Sequence, residues 1–277
     1  MLYDLHVHTT ASDGIYSPSE VIDQAEELGL SGLAITDHDT VSGLKEAHDY
    51  ADKYKKNLLV IPGIEMNTEL YENEIHILGY YFNTEDSDLL NRLKEIKQAR
   101  TERALKMIHR LHTMGMIISF EQVQKIAQGD LIARPHIAQA LQDKGYVFSI
   151  KEAFEKFIGK GKPAYVPRYK FLPGEAIELI KNAGGISSLA HPGLIKDQSL
   201  ILEVIKMGID GLEVYYPEHN IYQENEYITI SKRNNILITG GSDFHGTGSE
   251  DSIKKLGCRG IKKSLMDELI HYYLTRS

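Results

Sequence analysis

The sequence predicts an α/β protein whose core is an irregular barrel of about seven strands, with a helical insertion after the fourth strand. Short apolar runs rich in β-branched residues recur along the chain, and helical patterns lie between most of them. Strands that alternate with helices favour a parallel sheet, and so many strands in 277 residues favour closure into a barrel. In chain order, the predicted strands are YDLHVH, LSGLAIT, NLLVIPGIE, EIHILGYYF, GISSLAH, DGLEVYY and NILITGGSDF.

Helix start signals support this alternation. The segment Ser17-Pro18-Ser19-Glu20 follows the first predicted strand, and Pro173-Gly174-Glu175 precedes the fifth. Each signal opens a helical pattern that closes at a glycine, as expected for helices that connect neighbouring strands.

The alternation breaks between the fourth and fifth strands, where four helical patterns follow one another without a strand. We expect residues 1–84 and 168–277 to form the barrel and residues 85–167 to form an inserted helical lid over the substrate. The stretch from Arg134 to Lys170 carries eight Lys or Arg against three Asp or Glu. This basic stretch is either a solvated helix face or an anion-binding surface.

Composition narrows the function classes. Hydrophobic residues make up 42% of the chain, charged residues 25%, and the net charge is −8, which argues against a broad surface for duplex DNA. The single cysteine, Cys258, excludes an internal disulfide framework and a cysteine-cluster zinc site. No run is apolar enough to span a membrane and no signal-peptide pattern is seen, so we expect a cytoplasmic protein without a membrane partner.

Potential metal ligands gather at the predicted strand ends. His6 and His8 alternate along the first strand, and alternate side chains of a strand share one face. In an α/β barrel the carboxyl ends of the strands converge on one rim, where the chemistry takes place. Nine imidazole or carboxylate groups fall at or near these ends: His6, His8, Asp13, His38, Glu65, His76, His191, Asp243 and His245.

This number of ligands exceeds what a single ion needs, because a catalytic zinc typically takes three protein ligands and keeps a position open. The pattern therefore predicts two or three divalent ions. Imidazole and carboxylate without thiolate suit manganese, iron or zinc better than calcium or magnesium.

The segments HVHTTASDG, TDHD, PGIE, HILGY, AHPG and GSDFHG, in this order, resemble the successive motifs of the PHP (polymerase and histidinol phosphatase) family of metal-dependent phosphoesterases. The resemblance implies a distorted, TIM-like (β/α)7 barrel that holds a trinuclear cluster. It implies a first ion on His6, His8, Glu65 and Asp243. It implies a second on Glu65, His76 and His191, and a third on Asp13, His38 and His245.

The insertion and its Ala133-Arg134-Pro135-His136 segment resemble one subgroup of this family. That subgroup removes the 3'-phosphate from nucleoside 3',5'-bisphosphates, and some members act as 5'-to-3' exonucleases on short RNA. The implied partner is a small phosphorylated nucleotide or short single-stranded RNA. A phosphatase resembling the histidinol phosphatases is an alternative within the family.

For the reaction we expect a hydroxide held between two ions to attack phosphorus while a third ion binds a phosphate oxygen. His191, His245 and Asp243 are the expected catalytic residues, with His191 or His245 as candidate proton donor to the leaving group. Asp37 is expected to orient an imidazole.

For substrate binding we expect Arg134, His136 and Arg168, because a helix start and a guanidinium both favour anions. A plain surface helix cap is the competing interpretation of Arg134 and His136. One of Tyr215 and Tyr216 is expected to stack on a base.

Two other classes stay open. A metal-dependent amidohydrolase also uses an H-x-H pair, but it commonly bridges its ions with a lysine, and no predicted strand ends in one. A non-catalytic PHP binding module is disfavoured, since every motif position keeps a ligating side chain.

Overall fold

The computed structural model describes residues 1–54, 57–127, 131–246 and 253–276. Within these residues the chain forms eight strands, ten α-helices, a short 3-10 helix at Pro192–Leu194 and a π turn at Phe154–Ile158. The strands are β1 Leu2–Val7, β2 Gly32–Ile35, β3 Leu59–Leu70, β4 Asn73–Tyr80, β5 Ile186–Leu189, β6 Gly211–Tyr215, β7 Leu237–Gly240 and β8 Ile261–Lys262. The helices are α1 Pro18–Glu27, α2 Leu44–Tyr54, α3 Ser87–Thr113, α4 Phe120–Ala127, α5 Arg134–Asp143, α6 Ile150–Ala153, α7 Pro173–Asn182, α8 Ser199–Lys206, α9 Ile221–Asn234 and α10 Lys263–Arg276.

The strands form one sheet that nearly closes into a barrel, which confirms the predicted fold class. The sheet order is β7-β6-β5-β4-β3-β2-β1-β8, and β8 adds two antiparallel pairs to the start of β1. The open edge is bridged beyond β7, where Val7 pairs with Phe244 and the amide of His8 donates to the Phe244 carbonyl at 2.9 Å. A side chain at Gly241 would not fit at this seam, because an added Cβ would lie 2.4 Å from the backbone nitrogen of His6.

The expectation of a parallel sheet is wrong at β4. This strand runs antiparallel to both β3 and β5. It follows β3 through a tight turn in which Tyr71 and Glu72 have φ values of 46° and 66°, the paired left-handed geometry of a two-residue hairpin. The sequence between the two strands is too short for a helical crossover, so a parallel arrangement was excluded. As a result, the start of β4, and not its end, lies at the rim with the carboxyl ends of the other strands.

The helical insertion follows the sequence pattern. Helices α3, α4, α5 and α6 coincide with the four predicted segments, although residues 128–130 lie outside the described part of the chain. From Ala104 to Ala164 the insertion has its own hydrophobic cluster, whereas Leu89, Leu93 and Ile96 at the start of α3 pack into the barrel core. The division into domains at residues 85 and 167 stays a prediction.

The buried carboxylate of Asp4 links β1 to the segments that follow β7. Asp4 is fully buried and accepts hydrogen bonds from the amides of His6, Ser242 and Gly257 at 3.3, 2.8 and 2.8 Å. Burial raises the pKa of this carboxyl to about 6. Within the described ranges, no helix has both the length and the apolar character needed to cross a membrane.

Candidate metal centre

The nine predicted ligands converge at the carboxyl-terminal rim of the barrel. His6 and His8 point to the same side of β1 and are completely buried. His191 directly follows β5, and Asp243 and His245 follow β7. Glu65 and His76 instead lie inside β3 and β4, and the antiparallel pairing of these two strands brings His76 to the cluster.

Glu65 on β3 is the centre of the cluster. Its Oε1 lies 2.8 Å from Nδ1 of His76 and 3.0 Å from Nε2 of His191. Its Oε2 lies 2.9 Å from Nδ1 of His38, and 3.3 and 3.2 Å from Nε2 of His6 and His8. One fully buried carboxylate therefore faces five imidazoles, the arrangement expected of a ligand shared between ions.

The potential ligands form three groups within the described residues, and in each group the donor atoms lie within 4.8 Å of one another. The first group is His6, His8, Glu65 and Asp243, all buried. The second is His38, Glu65 and His76. The third is His8, Asp13, His38 and His245.

The first group is the set that the family resemblance implies for the first ion, but the other two differ: His38 stands in place of His191 in the second, and His8 joins the third. Nδ1 of His38 contacts Glu65 while its Nε2 lies 3.9 Å from Asp13, so His38 stands between the second and third groups. The third group is completed by His245, whose Nε2 lies 3.3 Å from Asp13.

The donor atoms fit divalent cations. Among the described residues, Nε2 of His6, both ring nitrogens of His8, Oε2 of Glu65 and Nε2 of His76 are buried without a hydrogen-bond partner. Burying such atoms unsatisfied is costly, and in native proteins they are normally paired or coordinate a metal. Three of these atoms, Nε2 of His6, Nε2 of His8 and Oε2 of Glu65, face one another in the first group.

The electrostatics of the cluster favour positive charge at its centre. Burial would lower the pKa of His6, but the carboxylates of Glu213, Glu65 and Asp243 outweigh it and raise that pKa well above its usual value. Conversely, burial would raise the pKa of Glu65, but the neighbouring histidines hold it well below its usual range. The same opposition lowers the pKa of Asp243 and raises that of His245 to about 9.

Three of the seven non-glycine residues with positive φ in the described ranges lie at the same rim. Asp39, His191 and Asp243 adopt positive φ values of 49°, 27° and 51°, a region that non-glycine residues rarely occupy. Such conformations persist only where surrounding structure enforces them, and they cluster at functional sites.

Sequence reasoning missed Glu213, a fully buried carboxylate on β6. Nδ1 of His6 donates to its Oε1 at 3.0 Å, and the backbone amide of His191 donates to its Oε2 at 2.6 Å. A carboxylate on the far nitrogen of a ligating imidazole fixes both the tautomer and the ring orientation. Glu213 thus positions residues from two strands with one side chain.

Asp243 is held on the side away from the histidines. Its Oδ1 lies 3.4 and 3.3 Å from Nε2 of His6 and His8, while its Oδ2 accepts from the Tyr216 hydroxyl at 2.9 Å and from Nζ of Lys254 at 2.7 Å. The expectation that Tyr215 or Tyr216 stacks on a base receives no support. Tyr216 is fully buried against Asp243, and Tyr215 lies in a separate groove beside α9.

Asp37 does not orient an imidazole as expected. Its carboxylate accepts from the amide and hydroxyl of Thr9 at 2.8 and 2.7 Å and from the Ser12 hydroxyl at 2.6 Å, so it fastens the loop that carries Asp13. The side chain beside His38 is instead Asn67, whose Nδ2 lies 3.0 Å from Nδ1 of His38.

A cavity of about 200 Å³ opens directly beside the metal ligands. Its wall on the metal side contains Asp13, His38 and His76. Four arginines also line the cavity and are called the arginine wall: Arg100, Arg103, Arg134 and Arg168. The insertion supplies three of them, and Arg168 lies just after its predicted end.

Two of the three predicted substrate-binding residues line this cavity. Arg134 and Arg168 do so, whereas the ring of His136 is buried at the start of α5, where its Nδ1 accepts from the amide of Ala133 at 3.1 Å. This contact caps the helix, as the competing interpretation of His136 expects.

Arg100 and Arg103 were missed, although their spacing of three residues places both on one face of α3. Arg100 pairs with Asp39, and Nε of Arg103 donates to the Val166 carbonyl at 2.8 Å. Burial, together with nearby Arg134, lowers the pKa of Arg103 to about 10. Several guanidinium groups held this close together favour an anion between them.

The geometry thus fits a class of protein: a metal-dependent hydrolase with an arginine-lined cavity beside its candidate metal ligands. Buried imidazoles and carboxylates fit divalent ions, and an arginine-lined cavity adjoins them.

Comparison with known proteins specifies the class. The sequence profile of the PHP domain matches residues 4–141. The chain is 31% identical over 250 residues to the 5'-3' exoribonuclease Rnm of Escherichia coli, covering 88% of this chain and 85% of that protein. It is 32% identical over 253 residues to the 3',5'-nucleoside bisphosphate phosphatase of Chromobacterium violaceum, covering 88% and 87%.

A crystal structure of a proposed metal-dependent phosphoesterase from Bifidobacterium adolescentis superposes with a TM-score of 0.86 at 29% identity, covering 99% of this chain and 96% of that one. The chain therefore belongs to the PHP domain family, as its motifs indicated. It is a metal-dependent phosphoesterase, and the amidohydrolase and binding-module interpretations are not favoured.

Proposed function

We propose that the protein removes the 3'-phosphate from nucleoside 3',5'-bisphosphates. The observation that carries this proposal is the single cavity that joins the metal ligands to the arginine wall. A substrate with two phosphates, one on each side of a nucleoside, matches a pocket with one anion-binding region on each side. The bisphosphate phosphatase of Chromobacterium violaceum, at 32% identity, supports the same substrate class.

The three groups of ligands would hold two or three divalent ions, for which we propose manganese, iron or zinc. The first would be held by His6, His8, Glu65 and Asp243. The second would be held by Glu65, His76 and His191 with His38 adjacent, and the third by Asp13, His38 and His245. Such ions, when bound, supply positive charge for the phosphoryl oxygens and a source of hydroxide near neutral pH.

The side chains of the protein orient the substrate around this centre. Arg134 and Arg168 would grip the phosphate that is not cleaved, and Nη1 of Arg168 is buried without a hydrogen-bond partner in the described structure. Ile96, Tyr169 and Phe171 line the same cavity and offer apolar surface to the nucleoside. His136 would contribute to substrate binding indirectly, because its ring caps the start of α5, where Arg134 lies.

His191, His245 and Asp243 are the residues that we assign to the chemical step. Asp243 is the deepest of the three, with a side chain that is 8% exposed. His245 is 33% exposed, against 12% for His191, so it is the more accessible proton donor for a leaving alkoxide.

A phosphate-release screen tests the proposal. Protein supplied with Mn²⁺ would be given 3',5'-bisphosphates, nucleoside monophosphates, histidinol phosphate and short 5'-phosphorylated RNA. We expect the highest kcat/KM on the bisphosphates. Faster turnover of histidinol phosphate, or no phosphate release from any bisphosphate, would contradict it.

A second candidate, 5'-to-3' hydrolysis of short single-stranded RNA, is favoured by one specific observation. A second cavity of about 270 Å³ shares Arg103, Arg134 and Arg168 with the first and continues past Lys160 and Lys196. A longer chain of phosphates has cationic partners along this path.

We also propose a cytoplasmic location, with which the single cysteine agrees.

A further inference from the structure

Glu74 lies on the arginine wall and takes no part in the function proposed above. We infer that Glu74 is a specificity-determining residue whose carboxylate occupies the anion position between Arg134 and Arg168 until a substrate phosphate displaces it. This inference rests on the proposed function, because it concerns the phosphate that is not cleaved.

One carboxylate oxygen of Glu74 serves both arginines. Its Oε1 is ion-paired with Nη2 of Arg168 and lies 3.5 Å from Nη2 of Arg134. Glu74 also precedes the ligand His76 by two residues on β4, so both side chains point to the same face. Two residues along a strand span about 7 Å, which sets the carboxylate apart from the metal centre but within the same cavity.

The exposure of the three side chains differs in a way that suits displacement. Glu74 is 52% exposed, whereas Arg134 and Arg168 are 22% and 17% exposed. The carboxylate can therefore swing into solvent while the guanidinium groups stay in place. Arg168 also keeps Nη1 buried and without a hydrogen-bond partner in the described structure, so Glu74 does not saturate the site.

A second acidic residue confines Glu74 to this position. Glu69 is directly opposite Glu74 in the β3–β4 pair, and like charges at such positions repel. The arginines relieve that repulsion when they hold the Glu74 carboxylate. Glu69 also faces Arg103 and Arg168 closely enough to stabilise their charges.

The Glu74 carboxylate would therefore compete with the phosphate that is not cleaved for the two arginines. A phosphate monoester that lacks a second phosphate leaves Glu74 on the arginines, whereas a bisphosphate must replace it. Removing the negative charge at residue 74 should therefore strengthen binding of the second phosphate. It should also increase the preference for bisphosphates over simple esters.

The test compares Glu74→Gln with Glu72→Gln, a matched control whose carboxylate pairs with Lys160 and is 80% exposed. Each protein, loaded with Mn²⁺, would be titrated calorimetrically with a nucleoside 5'-monophosphate, which carries only the phosphate that is not cleaved. We expect Glu74→Gln to bind it about fivefold more tightly, the scale of a partly exposed ion pair, and Glu72→Gln to match the wild type. The ratio of kcat/KM for bisphosphate over aryl phosphate should rise by a similar factor.

Weaker binding by Glu74→Gln would show that Glu74 holds the arginines in place for the substrate, and unchanged binding would show that it has no role; either result overturns the inference. The titration needs no turnover. A wild-type protein that releases no phosphate from bisphosphates would instead count against the proposed function.

Discussion

The candidate metal centre and the arginine wall border one cavity, yet they are built in different ways. The candidate metal centre is formed by residues within or directly after barrel strands, and its central carboxylate, Glu65, is fully buried. The arginine wall is formed mainly by side chains of inserted helices, and its acidic partner Glu74 is half exposed. The difference separates a buried centre for the proposed chemistry from a recognition surface whose acidic partner reaches solvent.

The largest expected effect comes from the residue on which the metal centre depends. Glu65→Gln keeps the shape of the side chain but removes the charge that faces five imidazoles. We expect phosphate release to fall by about 10³-fold or more, since metal ions contribute several kcal/mol to such reactions. Activity assays with measurement of bound metal by mass spectrometry would check this.

Glu69→Gln, four residues further along the same strand, is the matched control and should retain its metal. Circular dichroism should show both variants folded. Full activity and full metal content in Glu65→Gln would refute the assignment of this carboxylate as the shared ligand.

The next largest effect is expected at Glu213, which holds two candidate ligands through hydrogen bonds. Glu213→Gln cannot accept hydrogen bonds at both positions from His6 and His191, because one oxygen becomes an NH₂ group. We expect metal affinity to weaken about 10- to 100-fold, the usual cost of losing such a partner. Calorimetric titration of metal-free protein with Mn²⁺ would measure it, and unchanged affinity would show that the ligands need no such support.

A smaller effect is expected on the recognition side. Arg134→Ala should raise the KM for bisphosphates about tenfold, because a charge-assisted hydrogen bond to phosphate is lost, and should affect aryl phosphates far less. Lys144→Ala, at the other end of α5, removes the same charge from an exposed position and is the control. Equal losses on both substrates would remove the functional distinction between the two regions.

The smallest effect concerns a single hydrogen bond to a ligand. Tyr216→Phe removes the hydroxyl that donates to Asp243 at 2.9 Å. We expect metal affinity to fall about fivefold, the scale of one neutral hydrogen bond, while the neighbouring Tyr215→Phe leaves it unchanged. A loss as large as that of Glu213→Gln would show that Tyr216 is as important as the buried carboxylate.

The same contrast explains what the sequence could predict. Seven of the nine candidate ligands lie at or after the ends of strands, and a barrel brings such ends together at one rim. Glu65 and His76 lie inside β3 and β4, so the prediction that they mark strand boundaries was wrong. The assignment of the nine ligands to particular ions stays a proposal. The barrel and the four helices of the insertion were predictable for a similar reason, since each has a clear apolar period.

The supporting residues were not predictable in this way. Glu213 is one charged residue in an apolar strand, and only the curvature of the sheet shows that it reaches His6 and His191. Arg100 and Arg103 share a helix face, a signal that solvated helices also show. The direction of β4 could have been inferred from the short Tyr71-Glu72 connection, which permits a hairpin but no crossover.

The reversal of β4 also sets a length requirement on the helix that follows. Because this strand carries the chain back to the floor of the barrel, α3 starts far from the cavity and must climb the outside of the sheet before it can deliver Arg100. The thirteen steps along the helix from Ser87 to Arg100 rise about 20 Å, comparable to the length of a strand. The length of the first half of α3 therefore sets where its arginines lie. Inserting or deleting a few residues there would move Arg100 and Arg103 along and around the helix axis, away from the cavity, and would leave every candidate metal ligand unchanged.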